Sequence, residues 1–333
     1  ASDVYKRQIR KDVRLGKVRY ESKYLAIKYY HVEKGWSIEW MCKQLEISRA
    51  AYYKWLHRDA PEQEAENIKL AGLIREYDER FHHILGYRRM TSWINHFNHT
   101  NYSSKRVHRI MKKLNIHAAI RKKKKKYNSS TPETTAENKL KRDFNATAPN
   151  EKWSTDVTEF KVPGEKKKLY LSAILDLYDK YPVSYVISCR NDNRLVFRTY
   201  DKAIASNPDA KPIFHSDRGF QYTSKVFQQK LKEQEIEQSM SGVGHCIDNG
   251  PTEGFWGIIK TEMYQMYDIT DEESLRFAIN DYMRFYSEER PQDRYYCKTP
   301  LEVRTEALAS DNPKEYPIPE NKRIKKYKEK WCA

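Results

Sequence analysis

Three acidic residues, Asp156, Asp217 and Glu253, fall on segments whose patterns predict rigid elements. Asp156 lies inside a predicted strand, Asp217 ends a short predicted strand, and Glu253 lies in the first turn of a predicted helix. Carboxylates are ligands that Mg²⁺ prefers, and three of them together would repel one another unless a cation neutralised them. Two divalent cations can activate a hydroxyl nucleophile and stabilise the leaving oxygen in phosphodiester transfer. The three residues are therefore candidate ligands of such a site.

The spacing of these carboxylates is weak evidence by itself. Sixty residues lie between Asp156 and Asp217, and 35 lie between Asp217 and Glu253. Because the chain has 46 Asp and Glu residues, many triples could show a similar spacing by chance. A single Asp in a strand is more often an edge or turn residue than a ligand. The assignment therefore depends on the surrounding elements and on the local sequence.

The elements that would hold these residues follow one another from residue 150 onward. Three predicted strands joined by short turns come first, at Lys152–Lys161, Leu169–Leu177 and Val183–Ser188. Alternating helices and short strands follow, at Asn193–Ala205, Pro212–Ser216, Ser224–Gln234 and Ile236–Met240, then a long helix from about Pro251 and another at Glu272–Glu289. This order predicts an α/β ribonuclease-H-like domain at 150–305, with a mixed five-stranded sheet and helices. A basic tail is predicted at 306–333.

The charge of the chain is concentrated in its first half. Residues 1–150 carry 33 basic and 16 acidic side chains, whereas residues 151–333 carry 29 and 30, and the whole chain has a net charge of +16. A basic half joined to a nearly neutral half favours a grip on a polyanion, and nucleic acid in particular, over a surface that is merely soluble.

Residues 20–60 predict a helix-turn-helix. Ile38, Met41, Cys42 and Leu45 follow the spacing of one buried helix face, and Ser48 can begin a second helix. That second helix would present Arg49, Tyr52 and Lys54 to the major groove of DNA. An ordinary helical hairpin explains the spacing equally well.

Residues 63–126 predict a basic, all-α DNA-binding domain. Three apolar stripes, the last on Val107, Ile110, Met111 and Leu114, indicate three short amphipathic helices. The charged face of the last helix carries Lys105, Arg106 and Arg109, and a basic run at 121–126 follows it. Such a run is usually a solvated tail, but as the extension of a basic helix it favours contact with phosphates. The polar stretch 127–149 predicts a linker.

Composition also indicates the compartment. The spacings of the 5 cysteines and 10 histidines match no zinc site, which favours a reducing cytoplasm. No apolar run approaches the length of a membrane span. The first residues, ASDVYKRQ, have no apolar core and are not a signal peptide, and without an initial Met we interpret them as a fragment boundary or a cloning or assembly scar.

Several local motifs resemble one known family. EKWSTDVTEF (151–160), LYLSAILDLYDKYPVSYVIS (169–188), HSDRGFQYTS (215–224) and SMSGVGHCIDNGPTEGFWGIIKTEMY (239–264) resemble the catalytic core of the second-frame (OrfB-type) transposases of the IS-three insertion-sequence family, which are relatives of retroviral integrases. YSEERPQDRYYCKTPLEV (286–303) resembles the closing motif of that family. LGYRRMTSWIN and SSKRVHRIMKKLNI, within 85–116, resemble its upstream helix-turn-helix-like domain. The resemblance covers roughly residues 35–305.

The resemblance implies roles for individual residues. The catalytic and metal-binding triad of the family falls on Asp156, Asp217 and Glu253. A basic residue seven positions beyond the Glu falls on Lys260, which would hold a DNA phosphate. Around Asp217, the segment with Arg218, Gln221 and Tyr222 would frame the site or contact DNA, and Asn249 would order the loop before Glu253.

The resemblance also implies an activity. A member of this family would bind the inverted repeats of an insertion sequence, cleave 3′ ends and join them to target DNA with Mg²⁺ or Mn²⁺, as two ions. It would act on double-stranded DNA as a homo-oligomer, in the bacterial cytoplasm at the nucleoid, and would be made as a fusion with an upstream reading frame. A catalytically silent DNA-binding relic or regulator, and a nuclease that only hydrolyses, are the alternatives.

Overall fold

The computed structural model describes residues 20–57, 62–119, 136–165, 167–242 and 246–318, together with Lys325 and Glu329. The chain divides between Ala118 and Ala119 into two compact units. The basic run at 121–126, and residues 127–135 of the predicted linker, lie outside the described residues. No helix in the described part of the chain is long and apolar enough to cross a membrane.

The first unit is helical. Its helices are α1 (Glu21–Lys34), α2 (Ile38–Gln44), α3 (Arg49–Leu56), α4 (Glu62–Arg80), α5 (Tyr87–Asn98) and α6 (Ser104–Leu114). Two serines begin helices by accepting a backbone N–H, Ser37 from Trp40 and Ser103 from Arg106. Helices α1 to α3 enclose an aromatic core that includes Tyr24, Tyr52 and Trp55. The two short helices predicted around Ser48 are confirmed.

The second unit is built on one mixed sheet. Its strands are β1 (Lys152–Lys161), β2 (Lys168–Asp176), β3 (Pro182–Ser188), β4 (Ile213–Ser216) and β5 (Glu237–Met240), in the order β3-β2-β1-β4-β5. The pairs β1–β2 and β2–β3 are antiparallel, whereas β1–β4 and β4–β5 are parallel. The predicted ribonuclease-H-like fold, with three strands in sequence and then alternating helices and strands, is confirmed.

Helices cover this sheet and complete its core. They are α7 (Asn193–Ser206), α8 (Lys225–Glu233), α9 (Gly250–Met266), α10 (Glu272–Glu288) and α11 (Pro300–Leu308), with short 3-10 turns at Cys246–Asn249 and Asp293–Tyr295. The core beside α7 and α8 includes Trp153, Phe214 and Phe227. β1 and β4 are interior strands of the sheet, so residues on or directly after them do not lie at its open edges.

Residues 136–149, which we call the strap, pack against the second unit, so the prediction of a linker is wrong for this segment. Leu140 and Phe144 form a small core cluster with Leu177, which directly follows β2. The backbone N–H of Lys139 donates to Ser239 Oγ on β5 at 3.0 Å. Burial of these two apolar side chains offsets the cost of ordering an otherwise polar segment.

The predicted C-terminal tail also begins too early. Residues 306–308 belong to α11, whose start has a capping box in which Thr299 and Glu302 accept each other's backbone N–H. Farther on, Tyr316 packs against Tyr178 and Tyr295, with ring centroids 6.0 and 5.0 Å apart. The ordered domain therefore extends to at least residue 318.

Candidate active site

Asp156 lies in the middle of β1, opposite Ala173 of β2. Its Oδ1 accepts the backbone N–H of Val157 at 2.7 Å, and its Oδ2 accepts the indole N–H of Trp256 on α9 at 3.0 Å. These two donors fix the carboxylate and hold it toward the helix that carries Glu253. Asp156 is therefore oriented from both the sheet and the helix.

Asp217 directly follows β4, the strand parallel to β1. The register pairs Ser154 with His215, so the chain leaves β4 beside the part of β1 that carries Asp156. Asp217 Oδ1 accepts the backbone N–H of Gly219 at 2.9 Å. A Cβ at position 219 would lie 3.0 Å from this oxygen, so glycine gives the turn the space it needs.

Glu253 lies in the first turn of α9, with its side chain exposed. Ser154 of β1 fixes the start of this helix, because it donates to Asn249 Oδ1 at 2.7 Å and accepts from Thr252 Oγ1 at 2.6 Å. Asn249 Nδ2 in turn donates to the carbonyl oxygen of Thr155 at 3.3 Å. The helix that carries Glu253 is thereby joined to the strand that carries Asp156.

The three carboxylates interact electrostatically. Burial and the charge of Asp217 raise the pKa of Asp156 to about 7, with a smaller contribution from Glu253. Burial raises the pKa of Asp217, and burial together with the charge of Asp217 raises the pKa of Glu253. Raised pKa values of this kind are expected where acidic groups share a partly buried site and no cation balances them.

His215 is a buried neutral member of this frame. Burial lowers the pKa of its imidazole to about 4. Its Nε2 lies 3.0 Å from the carbonyl oxygen of Asp248 and therefore donates, so Nδ1 accepts from Ser239 Oγ at 2.9 Å. His215 connects β4 and β5 to the residues just before α9.

Comparison with known proteins identifies the family. Models of the integrase core domain match residues 146–246 and 253–308, and a model of an HTH-like domain matches residues 63–124. The chain is 36% identical over 271 residues to the transposase InsK for insertion sequence element IS150 of Escherichia coli (strain K12), covering 80% of this chain and 93% of the relative. The chain belongs to the insertion-sequence transposases of the IS150 and IS3 type.

Two further similarities accompany this one. The transposase is 27% identical over 269 residues to InsF for insertion sequence IS3A of Escherichia coli (strain K12), covering 77% of this chain and 91% of that protein. It is also similar to the HTLV-2 integrase catalytic core domain solved in complex with magnesium, at 22% identity and a TM-score of 0.38, over 47% of this chain and 97% of that chain.

The donor set of the transposase suits a hard divalent cation. Oxygen ligands dominate the site, and a cation would relieve the repulsion that raises the pKa of Asp156. Among the residues that the structure describes, however, no three His, Cys, Asp or Glu side chains are grouped closely enough to hold a metal ion. Asp156, Asp217 and Glu253 are thus electrostatically coupled without forming a compact ligand group.

Two residues predicted to frame the site or contact DNA are buried. Tyr222 is 1% exposed, and its hydroxyl lies 3.2 Å from Thr155 Oγ1 of β1. Gln221 is also buried and donates to Asn191 Oδ1 at 2.6 Å. The prediction that these two side chains contact DNA is wrong, because both are used to build the frame around Asp217.

Arg218 and Lys260 remain at the half-exposed margin of the site. Arg218 Nε donates to the carbonyl oxygen of Ser241 at 2.7 Å. Lys260 lies on α9 with Glu253, as predicted, and its Nζ donates to Thr158 Oγ1 and lies 5.3 Å from the centre of the Phe160 ring. Lys260 is thereby held against β1, the strand of Asp156.

The three residues of α3 that are predicted to contact DNA differ from one another in exposure. Tyr52 is 1% exposed and belongs to the core of α1 to α3, so the prediction that it faces the major groove is wrong. Arg49 is exposed and pairs with Glu39 at 3.3 Å. Lys54 is exposed. Helical periodicity could not decide which aromatic residue of α3 is inside, since Tyr52, Tyr53 and Trp55 lie within four consecutive positions.

The three residues of α6 that are predicted to contact DNA also differ from one another in exposure. Lys105 and Arg109 are exposed. Arg106 instead turns toward α4, where its Nε donates to Asn67 Oδ1 at 2.8 Å. Its guanidinium therefore joins two helices, and two of the three predicted basic residues remain on the open face.

Sequence reasoning missed two groups near the site. Trp256 donates to Asp156, and Arg142 of the strap pairs with Asp248 at 2.5 Å. The signal for the strap was present as Leu140 and Phe144, two large apolar residues four positions apart within a polar stretch. No comparable signal marks Trp256, because an indole on a mostly apolar helix is more often part of a core.

Proposed function

We propose that this transposase binds the inverted repeats of its insertion sequence, cleaves 3′ ends and joins them to target DNA. The observation that carries the proposal is the electrostatic coupling of Asp156, Asp217 and Glu253 in a chain of a transposase family: burial and the charge of Asp217 raise the pKa of both other carboxyl groups. The alternatives, a silent DNA-binding relic and a nuclease that only hydrolyses, are outcomes of the test below.

Asp156, Asp217 and Glu253 would hold Mg²⁺ or Mn²⁺, as two ions. When bound, these ions supply activation of the attacking oxygen and stabilisation of the leaving oxygen. The strand position of Asp156 and its bond from Trp256 orient one carboxylate before the cation arrives. Lys260 would bind a phosphate beside the site, exchanging its bond to Thr158 for a charged oxygen.

Two displacements would occur in this site. In the first, water attacks the phosphorus at the end of the element, and the 3′ oxygen of the element leaves as a hydroxyl. In the second, that 3′-hydroxyl attacks a phosphorus of the target DNA, and the target 3′ oxygen leaves. Each step breaks one P–O bond and forms another, so the second needs no energy source and no covalent bond to the protein.

The partners follow from this reaction. Double-stranded DNA would be bound by the exposed basic residues Arg49, Lys54, Lys105 and Arg109. Joining two ends of one element requires both to be held together, so a homo-oligomer, a dimer or larger, would form on DNA. We propose action in the bacterial cytoplasm at the nucleoid, after production as a fusion with an upstream reading frame.

The experiment is a strand-transfer assay with purified protein, Mn²⁺ and a labelled inverted-repeat end. Glu253→Gln is compared with Glu273→Gln, because Glu273 is also an exposed acid in the first turn of a helix, α10. We expect wild type and Glu273→Gln to cut and join, and Glu253→Gln to bind DNA normally with activity lowered at least about 1,000-fold.

Three results would contradict the proposal. DNA binding without cutting or joining by wild type would identify a silent relic. Cut products without joined ones would identify a nuclease. Equal activity of wild type and Glu253→Gln would remove Glu253 from the site.

A further inference from the structure

The strap makes a second set of contacts, separate from its apolar anchor, with the residues that lead into α9. Residues 136–145 fall between the ranges that the HTH-like and integrase core models match, 63–124 and 146–246. They nevertheless reach Asp248, which is 106 positions away from Arg142 in the chain. Asp248 and Asn249, which we call the preceding turn, are the last two residues before α9.

The side chain of Asp248 is buried, and both of its oxygens accept hydrogen bonds. Arg142 Nε donates to Oδ1 at 2.5 Å, and the two side chains are 4% and 0% exposed. Oδ2 accepts from Asn138 Nδ2 at 3.0 Å and from the backbone N–H of Gly242 at 2.8 Å. A buried ion pair is stable only when its remaining hydrogen-bonding capacity is also met, and here the strap supplies two of the three donors.

The main chain of Asp248 is connected to the strap as well. The backbone N–H groups of Lys139 and Leu140 donate to Ser239 Oγ, at 3.0 and 3.3 Å. Ser239 therefore uses its only proton to donate to His215 Nδ1, and His215 Nε2 donates to the carbonyl oxygen of Asp248. One continuous series of hydrogen bonds thus joins the strap, β5, β4 and the preceding turn.

The preceding turn also fixes the position at which α9 begins. Asn249 is bonded to Ser154 and to the carbonyl oxygen of Thr155 on β1. Glu253 follows four residues later, in the first turn of the helix. Because interiors are close-packed and deform little, a shift of Asp248 is transmitted to Asn249 and to the helix start.

We propose that Arg142 is a positioning residue for Glu253, which it holds in register with Asp156 through Asp248 and Asn249. The inference rests on the proposed function, since it assigns Arg142 to the same metal-dependent site. Arg142 itself touches neither Glu253 nor any reacting atom in this arrangement. Its effect is to restrict the preceding turn to one conformation, so that the three carboxylates do not have to be assembled anew for each reaction.

The test compares Arg142→Gln with Lys139→Ala in the full chain. Both changes remove one positive charge from the strap, but Lys139 pairs with Glu237 at the surface. Amide hydrogen exchange is measured over 246–256, and cleavage of a labelled repeat end is measured in a single turnover with Mn²⁺ at saturating DNA. The affinity for the same DNA is measured separately.

We expect Arg142→Gln to speed exchange over 246–256 by about 10-fold or more, and to slow cleavage by roughly 10- to 100-fold. Its DNA affinity should equal that of wild type, and Lys139→Ala should match wild type in all three measurements. Arg142→Lys, which keeps one charged donor, should show exchange and cleavage rates between those of wild type and Arg142→Gln. Unchanged exchange or an unchanged cleavage rate in Arg142→Gln would overturn the proposal.

A neutral double variant keeps the test decisive if Arg142→Gln does not fold. Arg142→Gln with Asp248→Asn leaves no unpaired buried charge and should fold, yet still show fast exchange and slow cleavage. Cleavage by the double variant at the wild-type rate would overturn the proposal. If wild type itself neither cuts nor joins, the proposed function fails, while the exchange measurement still decides whether Arg142 holds the preceding turn.

Discussion

At the residue scale, Asp156 is subject to opposing influences. Burial and the charge of Asp217 raise its pKa to about 7, whereas the N–H groups of Val157 and Trp256 stabilise its ionised form. Burial, which is the largest influence, and repulsion by Asp217 together outweigh these donors, so ionisation of Asp156 costs stability when no cation is bound. A site of this kind lowers the stability of the metal-free protein, and the same carboxylates are suited to binding a cation.

This balance predicts that Asp156→Asn stabilises the metal-free protein at alkaline pH. An unfolded Asp loses its proton near pH 3.8 and folded Asp156 near pH 7, so this residue lowers wild-type stability as pH rises from about 4 to about 7, and fully above that. In EDTA at pH 8, we expect the variant to be more stable by about 1 to 3 kcal/mol, with the difference vanishing toward pH 4. Urea unfolding across this pH range measures it.

The control is Asp209→Asn, at an exposed position where the same change should leave stability unaltered. Mn²⁺ at pH 8 should raise the unfolding midpoint of wild type more than that of Asp156→Asn, since the cation neutralises the charges responsible. A variant no more stable than wild type at pH 8 would show that burial and repulsion do not raise the pKa of Asp156 as described.

At the scale of elements, α11 is joined to the sheet by one arginine. Arg304 NH1 lies 3.0 Å from Asp176 Oδ2 and 3.1 Å from Asp179 Oδ2, and its NH2 donates to Asn150 and Asn207. The two carboxylates are fully buried. Burial and the charge of Asp176 raise the pKa of Asp179 to about 7 even with Arg304 present. Arg304 is therefore the cation that allows both to ionise.

Arg304→Ala should destabilise the second unit strongly, by about 3 to 5 kcal/mol at pH 8, because it leaves two buried carboxylates without their cation. The loss should be smaller at pH 5, where Asp179 can remain protonated. Urea unfolding at both pH values tests this. Arg284→Ala, which removes an exposed arginine paired with Asp281, should change stability by less than about 1 kcal/mol. Equal losses in the two variants would contradict the role given to Arg304.

Among the elements, β1 and the strap show which features a local sequence pattern can predict. The bounds of β1 agree with the prediction, because β-branched and aromatic residues mark Lys152–Lys161 from end to end. The strap has the composition of a linker because polar residues outnumber its apolar ones, and the partners that order it, Ser239 and Asp248, are about 100 positions away. Sequence patterns report local spacing, whereas such contacts depend on tertiary structure.

The site likewise has features that the sequence could predict and features that it could not. Asp156, Asp217 and Glu253 could be proposed because their motifs resemble a family, and the chain does place them on β1, after β4 and on α9. The orientation of neighbouring side chains could not be predicted. Gln221 and Tyr222 lie four and five positions after Asp217 in sequence, yet both are buried.

At the scale of the whole molecule, most of the excess positive charge lies in the first unit and the chemistry in the second. Residues 1–118, the first unit, carry 24 basic and 13 acidic side chains, a net charge of +11, whereas residues 119–333 carry 38 and 33, a net charge of +5, and hold the three coupled carboxylates. A grip that depends on phosphates adds affinity and salt dependence without selecting a base sequence. Affinity and chemistry should therefore be separable by mutation.

Arg109 and Arg106 of α6 provide the test. Arg109 is exposed, whereas Arg106 donates to Asn67 on α4. Each phosphate contact contributes about 0.9 to the slope of log affinity against log salt concentration, so Arg109→Ala should reduce that slope by about 1. Arg106→Ala should leave the slope unchanged and lower the unfolding midpoint instead, since it removes a bond between two helices. Titration of repeat-end DNA at several salt concentrations measures the slope. Equal slopes for wild type and Arg109→Ala would show that α6 does not contact phosphates, and would move the grip to another basic face.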